Sequence, residues 1–520
     1  MMQPNANRYD LVAYPVYTHL QTHPGRLAVI GSLFGMNPAR VDHCRVLELG
    51  CGTGSNLAPM AAALPKSDFV GIDLAAKPVA QGTQMIEELG MRNIRLVNGN
   101  VTDIDASWGQ FDYIIAHGLF SWVPAEVREH VLRICRERLA PQGIAFISYN
   151  AFPGCHMRHM LREMMLFHVQ RFEAPDERVR QAKALAKFVA QAQETDDEYR
   201  LWMKSEFEAI LNHEEGHLYH DELADISVPF YFHQFVEKAA AHQLQYLGEA
   251  SYFEMFDHGF NDATRRTLEQ LSGNRILREQ YLDFLKCRRF RQTLLCHRDV
   301  KLSDPQAAKV RGFHISSSAK CAGDAVDFSP GATNHYRTAN GARCTTDFSL
   351  GKSALGVLEQ CWPAPMSFEE LLPAAQAALP RTEASAATGN HDGDKLAAFF
   401  LQLYSAGVVE FYAHAPSMAR QAGERPLTPP LVRWQAQQGH LVTTQFHMTV
   451  KIEDEVGRCL LSCMDGTRDR QALVEEIWRM LKSKNALVLP DGNEAAARRA
   501  IESELEENLK KLAKMGLLAK

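Results

Sequence analysis

The first 150 residues alternate short, unbroken apolar runs with longer stretches in which apolar residues recur every three or four positions. RVLEL (45–49) runs into a glycine turn and then a helical pattern, NLAPMAAAL (56–64). FVGID (69–73) precedes KPVAQGTQMIEELG (77–90), where the closing Gly90 suits a helix terminus. NIRLVNGN (93–100), FDYIIAHG (111–118) and GIAFISYN (143–150) read as three more strands, with the helical stretch EVREHVLRICRERLA (126–140) ahead of the last. Strands and helices alternating at this interval imply right-handed crossovers and a mostly parallel, doubly wound α/β sheet. In such sheets ligands bind at the carboxyl ends of the strands.

Further on, HMRHMLREMMLFHVQRF (156–172) has helical spacing, and its Met and Phe stripe suits a core or a lid face. After residue 300 the pattern changes. DFSPGATNHYRTANGARCTTDFSLG (327–351) is rich in Gly, Ser and Thr, which fits a β-ribbon or an irregular linker. SALGVLEQCWPAPMSFEELLPAAQAAL and DKLAAFFLQLYSAGVVEFYAH (394–414) read as three helices and a strand, as in a winged-helix module. The Pro- and Gly-containing QAGERPLTPPLVR separates this module from a last unit of similar pattern at 440–520.

The chemistry concentrates in Glu48-Leu49-Gly50-Cys51-Gly52-Thr53-Gly54. Glycines at alternate positions let the backbone turn sharply and bring a ligand close to the next helix. The spacing is GxGxG with an acid ahead of it, not the GxGxxG of dinucleotide-binding proteins, and it resembles class I S-adenosylmethionine-dependent methyltransferases. Asp73 ends the second strand, where a carboxylate can take both ribose hydroxyls. After the third strand comes Gly99-Asn100-Val101-Thr102-Asp103; the methyltransferase pattern often has Asp where Asn100 stands, and an amide oxygen can also accept from an adenine amino group. Cys51, Leu74 and Val101 complete the donor positions implied by this resemblance, with Val101 expected to cover the adenine.

Composition narrows the class. The chain has 520 residues, 46% hydrophobic and 23% charged, which is too long for one core. A net charge of -6 argues against a nucleic-acid coat or a membrane-surface protein. Eleven cysteines form no CxxC pair, as a reducing compartment allows, and Cys459 and Cys463 fit one helical face. With no long apolar run, and with MMQPNANRYD unlike a signal peptide, the expected location is the cytoplasm. His213-Glu214-Glu215-Gly216-His217 satisfies HExxH, but Gly216 and the polar surroundings point to a helix end or loop, so no metal is expected.

A longer resemblance covers most of the chain. AYPVYTHLQTHPGRLAVIGSLFGMNP (13–38), HGLFSWVP (117–124), ISYNAFPG (147–154), VPFYFHQFVEKAAAHQLQYLGEA (228–250) and YLDFLKCRRFRQTLLCH (281–297) resemble bacterial methyltransferases carrying a methyltransferase regulatory domain. That group includes rickettsial protein-lysine methyltransferases that modify outer-membrane proteins. The resemblance implies S-adenosylmethionine as donor and a Rossmann-like core at 1–154 and 240–300, with QLQYLGEA and RRFRQTLLCH as its last two strands. It also implies a helical insertion at 155–239 and winged-helix-like modules at 301–420 and 421–520. The acceptor is expected to be a protein lysine, on a surface or outer-membrane protein before export, and the modules recruit a partner or a dimer mate. Phe120, Trp122, Tyr149 and Tyr14 are the expected acceptor wall, and His117 either relays a proton or touches the donor. An Asp/Asn-Pro-Pro-aromatic tetrapeptide, typical of nucleic-acid amino methylation, is absent after the fourth strand, where His117-Gly118-Leu119-Phe120 stands. A small-molecule methyltransferase and a non-catalytic S-adenosylmethionine sensor are the alternatives.

Overall fold

The computed structural model describes residues 8–192, 197–323, 325–380, 391–484, 486 and 493–520; residues 1–7, at the start of the expected core, lie outside them. Seven strands form the central sheet: β1 (Arg45–Leu49), β2 (Asp68–Asp73), β3 (Ile94–Asn98), β4 (Phe111–Ala116), β5 (Leu139–Asn150), β6 (Leu244–Glu249) and β7 (Phe290–His297). Their order is β3-β2-β1-β4-β5-β7-β6. β1 to β5 pair in parallel, and β7 runs antiparallel to both of its neighbours. The unbroken apolar runs follow from burial on both faces. Val46, Tyr113 and Ile115 enter one core layer, whereas Leu47, Leu49, Ile114 and Ala116 enter the other.

Helices cover both faces. Along the chain they are α1 (Arg8–Leu11), α2 (Pro24–Leu33), α3 (Leu57–Ala63), α4 (Ala76–Glu88) and α5 (Ala125–Arg138). The insertion follows as α6 (Cys155–Val169), α7 (Pro175–Gln191), α8 (Glu198–Leu211) and the short α9 (Glu215–His217), which runs into a π turn at Leu218–Glu222. It has its own core, with Leu161, Met165, Ala182, Phe207 and Leu223 buried, while Phe167 on the same stripe is 77% exposed. The next helix, α10 (Phe232–Ala241), instead buries Phe235 and Ala239 against the sheet, so the insertion's own core ends short of residue 239. α11 (Asp262–Leu271) and α12 (Arg275–Lys286) link β6 to β7.

Beyond the sheet, His314–Ser316 pairs with Met366–Ser367 and with Glu410–Tyr412, packed by helices Ser349–Cys361, Phe368–Ala377 and His391–Ser405. The Gly/Ser/Thr-rich stretch forms an antiparallel ribbon, Asn334–Arg337 with Arg343–Thr346. The last unit consists of helix Pro430–Gln438, a hairpin of Leu441–Thr443 and Thr449–Lys451, and helices Glu455–Cys463, Arg470–Ser483 and Glu494–Lys514 around a separate core. Cys459 and Cys463 share the first of these three helices, and all eleven cysteines are free. The N-terminal arm joins these parts. Arg26 on α2 pairs with Glu410 at 2.6 Å, and Thr18 N–H donates to Thr449 Oγ1 at 2.8 Å.

Candidate functional site

The chain leaves β1 into a loop where Gly50, Gly52 and Gly54 all have positive φ, a region that favours glycine. The loop does not offer a row of free amides, because the N–H groups of Gly50, Cys51, Gly52 and Gly54 are already used. Gly50 and Cys51 donate to Ile72 O at 2.8 and 3.1 Å, Gly52 to Asp73 Oδ2 at 2.8 Å, and Gly54 to Cys51 O at 2.8 Å. What Gly52 supplies is room, since a Cβ there would meet nothing within 4 Å, whereas a Cβ on Gly54 would meet Leu96 Cδ1 at 2.9 Å. Cys51 supports the loop from below, with Sγ turned toward Gly71.

Asp73 is held where β2 ends. Oδ1 accepts from Ala75 N at 2.8 Å while Oδ2 accepts from Gly52, so one carboxylate ties the loop to the N-terminus of α4. Burial raises its pKa and the two amides oppose the rise. Leu74 beside it is 61% exposed, an apolar side chain left uncovered at a strand end. Asn100 and Val101 follow β3. Asn100 Oδ1 caps Thr102 N at 3.1 Å, and Val101 is buried.

Glu48 is 4% exposed and faces away from water. Its Oε1 accepts from Asn56 Nδ2 at 2.7 Å, whereas Oε2 has no hydrogen-bond partner among the described residues. Burial pushes this carboxyl up to about 8. A buried acid with one vacant oxygen fits a cationic ligand group that would supply the missing partner.

HGLFSWVP follows β4 and turns beside the glycine loop, where Leu119 Cδ1 lies 3.3 Å from the ideal Cβ position of Gly50. Its aromatics are not a common wall. Phe120 and Tyr149 are completely buried, contrary to expectation, because the turn folds back over the sheet under α10. The Phe120 ring lies 5.5 Å from Phe230 and 5.3 Å from Phe235, and Tyr149 stacks on Phe235 at 4.2 Å with its hydroxyl 3.2 Å from Thr293 Oγ1. Neither ring reaches an acceptor. Trp122 is partly exposed in the same turn.

His117 is partly buried just after β4, and it has a partner that sequence reasoning missed. Its ring lies 3.8 Å from that of His19 in the N-terminal arm. Burial lowers both pKa values, that of His19 to about 4, so both imidazoles are neutral near pH 7. His117 Nδ1 is buried with no hydrogen-bond partner among the described residues. No local signal links two histidines 98 positions apart.

The arm is fixed at both ends beside the cleft. Asp10 accepts from Lys77 N on α4 at 2.9 Å, and His19 N–H donates to Asn56 Oδ1 at 2.9 Å. Between these anchors Tyr14 and Tyr17 cross to the insertion. Tyr14 packs edge-on to His217 at 5.2 Å and donates to Asp221 Oδ1 at 3.4 Å, and Tyr17 stacks on His217 at 6.0 Å. Of the HExxH residues, His217 therefore packs against the arm, and Gly216 sits so close to Ala13 O that a Cβ would approach it to 2.4 Å. Among the described residues no group of three or more His, Cys, Asp or Glu could hold a metal ion.

The sheet order with its single antiparallel strand, the open glycine loop after β1 and the carboxylate after β2 define a class I S-adenosylmethionine-dependent methyltransferase. The residues fit the donor, with space at Gly52, an uncovered Leu74 and an unpaired buried oxygen on Glu48. Residues 46–143 match the methyltransferase domain family, 214–297 the predicted methyltransferase regulatory domain, and 424–517 the PKMT C-terminal winged helix domain. An uncharacterised protein of Rickettsia prowazekii is 31% identical over 514 residues, covering 96% of this chain and 91% of its own length. A second protein of that organism is 39% identical over 236 residues, covering 45% of this chain and 94% of its own length. PKMT2 from Rickettsia typhi is similar in structure, with a TM-score of 0.86, 27% identity and coverage of 98% of this chain and 100% of that one. The same protein in complex with AdoHcy matches at a TM-score of 0.85, with 27% identity over 97% of this chain and 99% of that one. The chain belongs to the family of S-adenosylmethionine-dependent methyltransferases that join this catalytic domain to a methyltransferase regulatory domain and a PKMT-type winged helix. No described helix is long and apolar enough to cross a membrane.

Proposed function

We propose that this enzyme methylates lysine side chains of a protein, in the cytoplasm, at the mouth between the N-terminal arm and the helical insertion. The observation that carries the reading is the constellation of Tyr14, Tyr17, His217 and Asp221, which sets aromatic faces and a carboxylate beside the donor cleft. Tyr14 is 39% exposed there. Cation–π attraction and a nearby acid suit an ammonium and its methylated products. The similarity to PKMT2 agrees with it.

On this reading Asp73 takes the ribose hydroxyls, Leu74, Asn100 and Val101 flank the adenine, the loop of Gly50, Gly52 and Gly54 leaves room at Gly52, and Glu48 meets the amino group of the methionine end. The bound donor supplies a methyl group already activated on a sulfonium for in-line displacement. His19 and His117, neutral near pH 7, border the reacting centre without repelling that cation. The acceptor amine must arrive unprotonated. With an ordinary lysine pKa of about 10.4, deprotonation at pH 7 costs about 4.6 kcal/mol. Asp221, whose carboxyl burial pushes up to about 6, is placed to receive the proton, while Tyr14 and Trp122 hold the alkyl chain.

The core at 1–154 and 240–300 then does the chemistry and the insertion at 155–239 presents the acceptor. The modules at 301–420 and 421–520 dock a partner or a second copy, and the acceptor protein is one destined for the cell surface. The test incubates purified enzyme and methyl-labelled donor with cell lysate. Label in protein, released as methyllysine on hydrolysis, supports the proposal; label confined to small molecules overturns it.

A further inference from the structure

The hairpin of the C-terminal unit ends in a tip, residues 444–448, that is seated in the methyltransferase domain. His447 is 4% exposed and sits at φ +59°, a left-handed conformation uncommon for a residue with a side chain. Such strain persists only where surrounding contacts impose it. Here His447 Nε2 donates to Asn56 Oδ1 at 2.9 Å, across 391 residues of sequence. Neighbouring contacts hold the same docking, with Thr449 Oγ1 on Thr18 N–H and Trp434 Nε1 donating to Glu88 Oε2 of α4 at 2.7 Å.

The backbone N–H of His19 can only donate, so it sets which way the Asn56 amide faces, and His447 gives the amide oxygen a second donor. Its oxygen accepts from His19 N–H and His447, and its Nδ2 therefore donates to Glu48 Oε1 at 2.7 Å and to Thr22 Oγ1 at 3.0 Å. Turned over, the amide would set its NH2 against the His19 N–H, two donors facing each other. With His447 in place the amide oxygen has two close donors and both N–H groups are used, which holds the amide plane more firmly than His19 alone.

We propose that His447 is a positioning residue for the donor: the docked C-terminal hairpin locks Asn56, Asn56 holds Glu48, and Glu48 receives the amino group of the donor's amino-acid end. The inference rests on the placement of Glu48 in the proposed function. It makes tight donor binding a property of the docked three-part molecule, and it gives the tip of the winged-helix hairpin a task inside the enzyme.

The test titrates the full-length protein with S-adenosylhomocysteine, which carries the amino-acid end, and with 5′-methylthioadenosine, which lacks it. His447→Ala weakens S-adenosylhomocysteine about tenfold and leaves methylthioadenosine within about twofold. His447→Asn, which tolerates the positive φ but falls short of Asn56, shows the same discrimination if the alanine variant folds poorly. His447→Gln, which retains a donating N–H, restores much of the affinity, and in a Glu48→Gln background His447→Ala adds no further loss. An S-adenosylhomocysteine affinity unchanged by either short variant, while Glu48→Gln weakens it, overturns the inference alone. No effect of Glu48→Gln overturns the placement of the donor as well.

Discussion

Glu48 on β1 and Arg291 on β7 are both buried in the same sheet, and their surroundings differ in one respect. Every guanidinium nitrogen of Arg291 is engaged: Nε with Asp283 Oδ2 at 2.9 Å, Nη1 with Glu249, and Nη2 with Glu279 Oε2 at 3.0 Å and Asp283 Oδ1 at 2.8 Å. Its plane also lies over the Phe232 ring at 3.9 Å. Glu48 keeps one oxygen without a partner, in a neighbourhood where His117 Nδ1 is likewise unpaired among the described residues. A buried ionisable group whose valences are filled from within the chain holds elements together. One left with an open valence is prepared for a ligand.

The sharpest way to break this comparison is at Arg291. Arg291→Ala leaves Glu249, Glu279 and Asp283 buried with Arg288 alone to pair Asp283 and Glu279, and a loss of about 3–5 kcal/mol in urea unfolding is expected. A loss below about 1 kcal/mol would show the cluster to be dispensable. At the donor end the effect moves from stability to binding. Asp73→Ala should weaken S-adenosylhomocysteine at least about thirtyfold in calorimetry, because hydrogen bonds to a charged group are lost; unchanged affinity removes Asp73 from the ribose.

Acidity separates the two ends further. With its native pKa at about 8, above the unfolded carboxyl value, Glu48 holds a proton near neutral pH in the folded chain that the unfolded chain has lost. Its contribution to stability is fully present below the unfolded value and is lost as pH rises through about 8. A donor ammonium favours the carboxylate, so binding releases the proton. Between pH 6 and 8, S-adenosylhomocysteine affinity should rise by up to about tenfold per pH unit, and Glu48→Gln should flatten the profile. A wild-type profile as flat as the variant's would show that Glu48 does not ionise on binding. The smallest effect is expected at Trp122: Trp122→Ala should lower kcat several-fold, on the order of 1 kcal/mol, with donor affinity unchanged. A parallel loss of donor affinity would place Trp122 at the donor.

The glycine loop and Asp73 were legible because their signals are local. Glycines at alternate positions and an acid at a strand end are properties of a dozen residues, and the structure places them side by side. HGLFSWVP was legible only in part. Its location at the end of β4 followed from the strand pattern, but aromatic residues at a strand end fit an open wall and a folded-back core equally, and here α10 covers Phe120 and Tyr149. His19, Asn56, Tyr17 and Asp221 carried no signal, since each acts through a partner distant in the chain.

The sequence by itself determined the run of strands and helices, the fold class and the kind of donor, because hydrophobic period and glycine conformation act over a few residues. The tertiary structure decided which side chains face the cleft. The pairing of His19 with His117, the crossing of Tyr14 to Asp221 and the hold of His447 on Asn56 arise only when segments between 98 and 391 residues apart are packed together. Burial then sets their charge and their free valences, which no single segment contains.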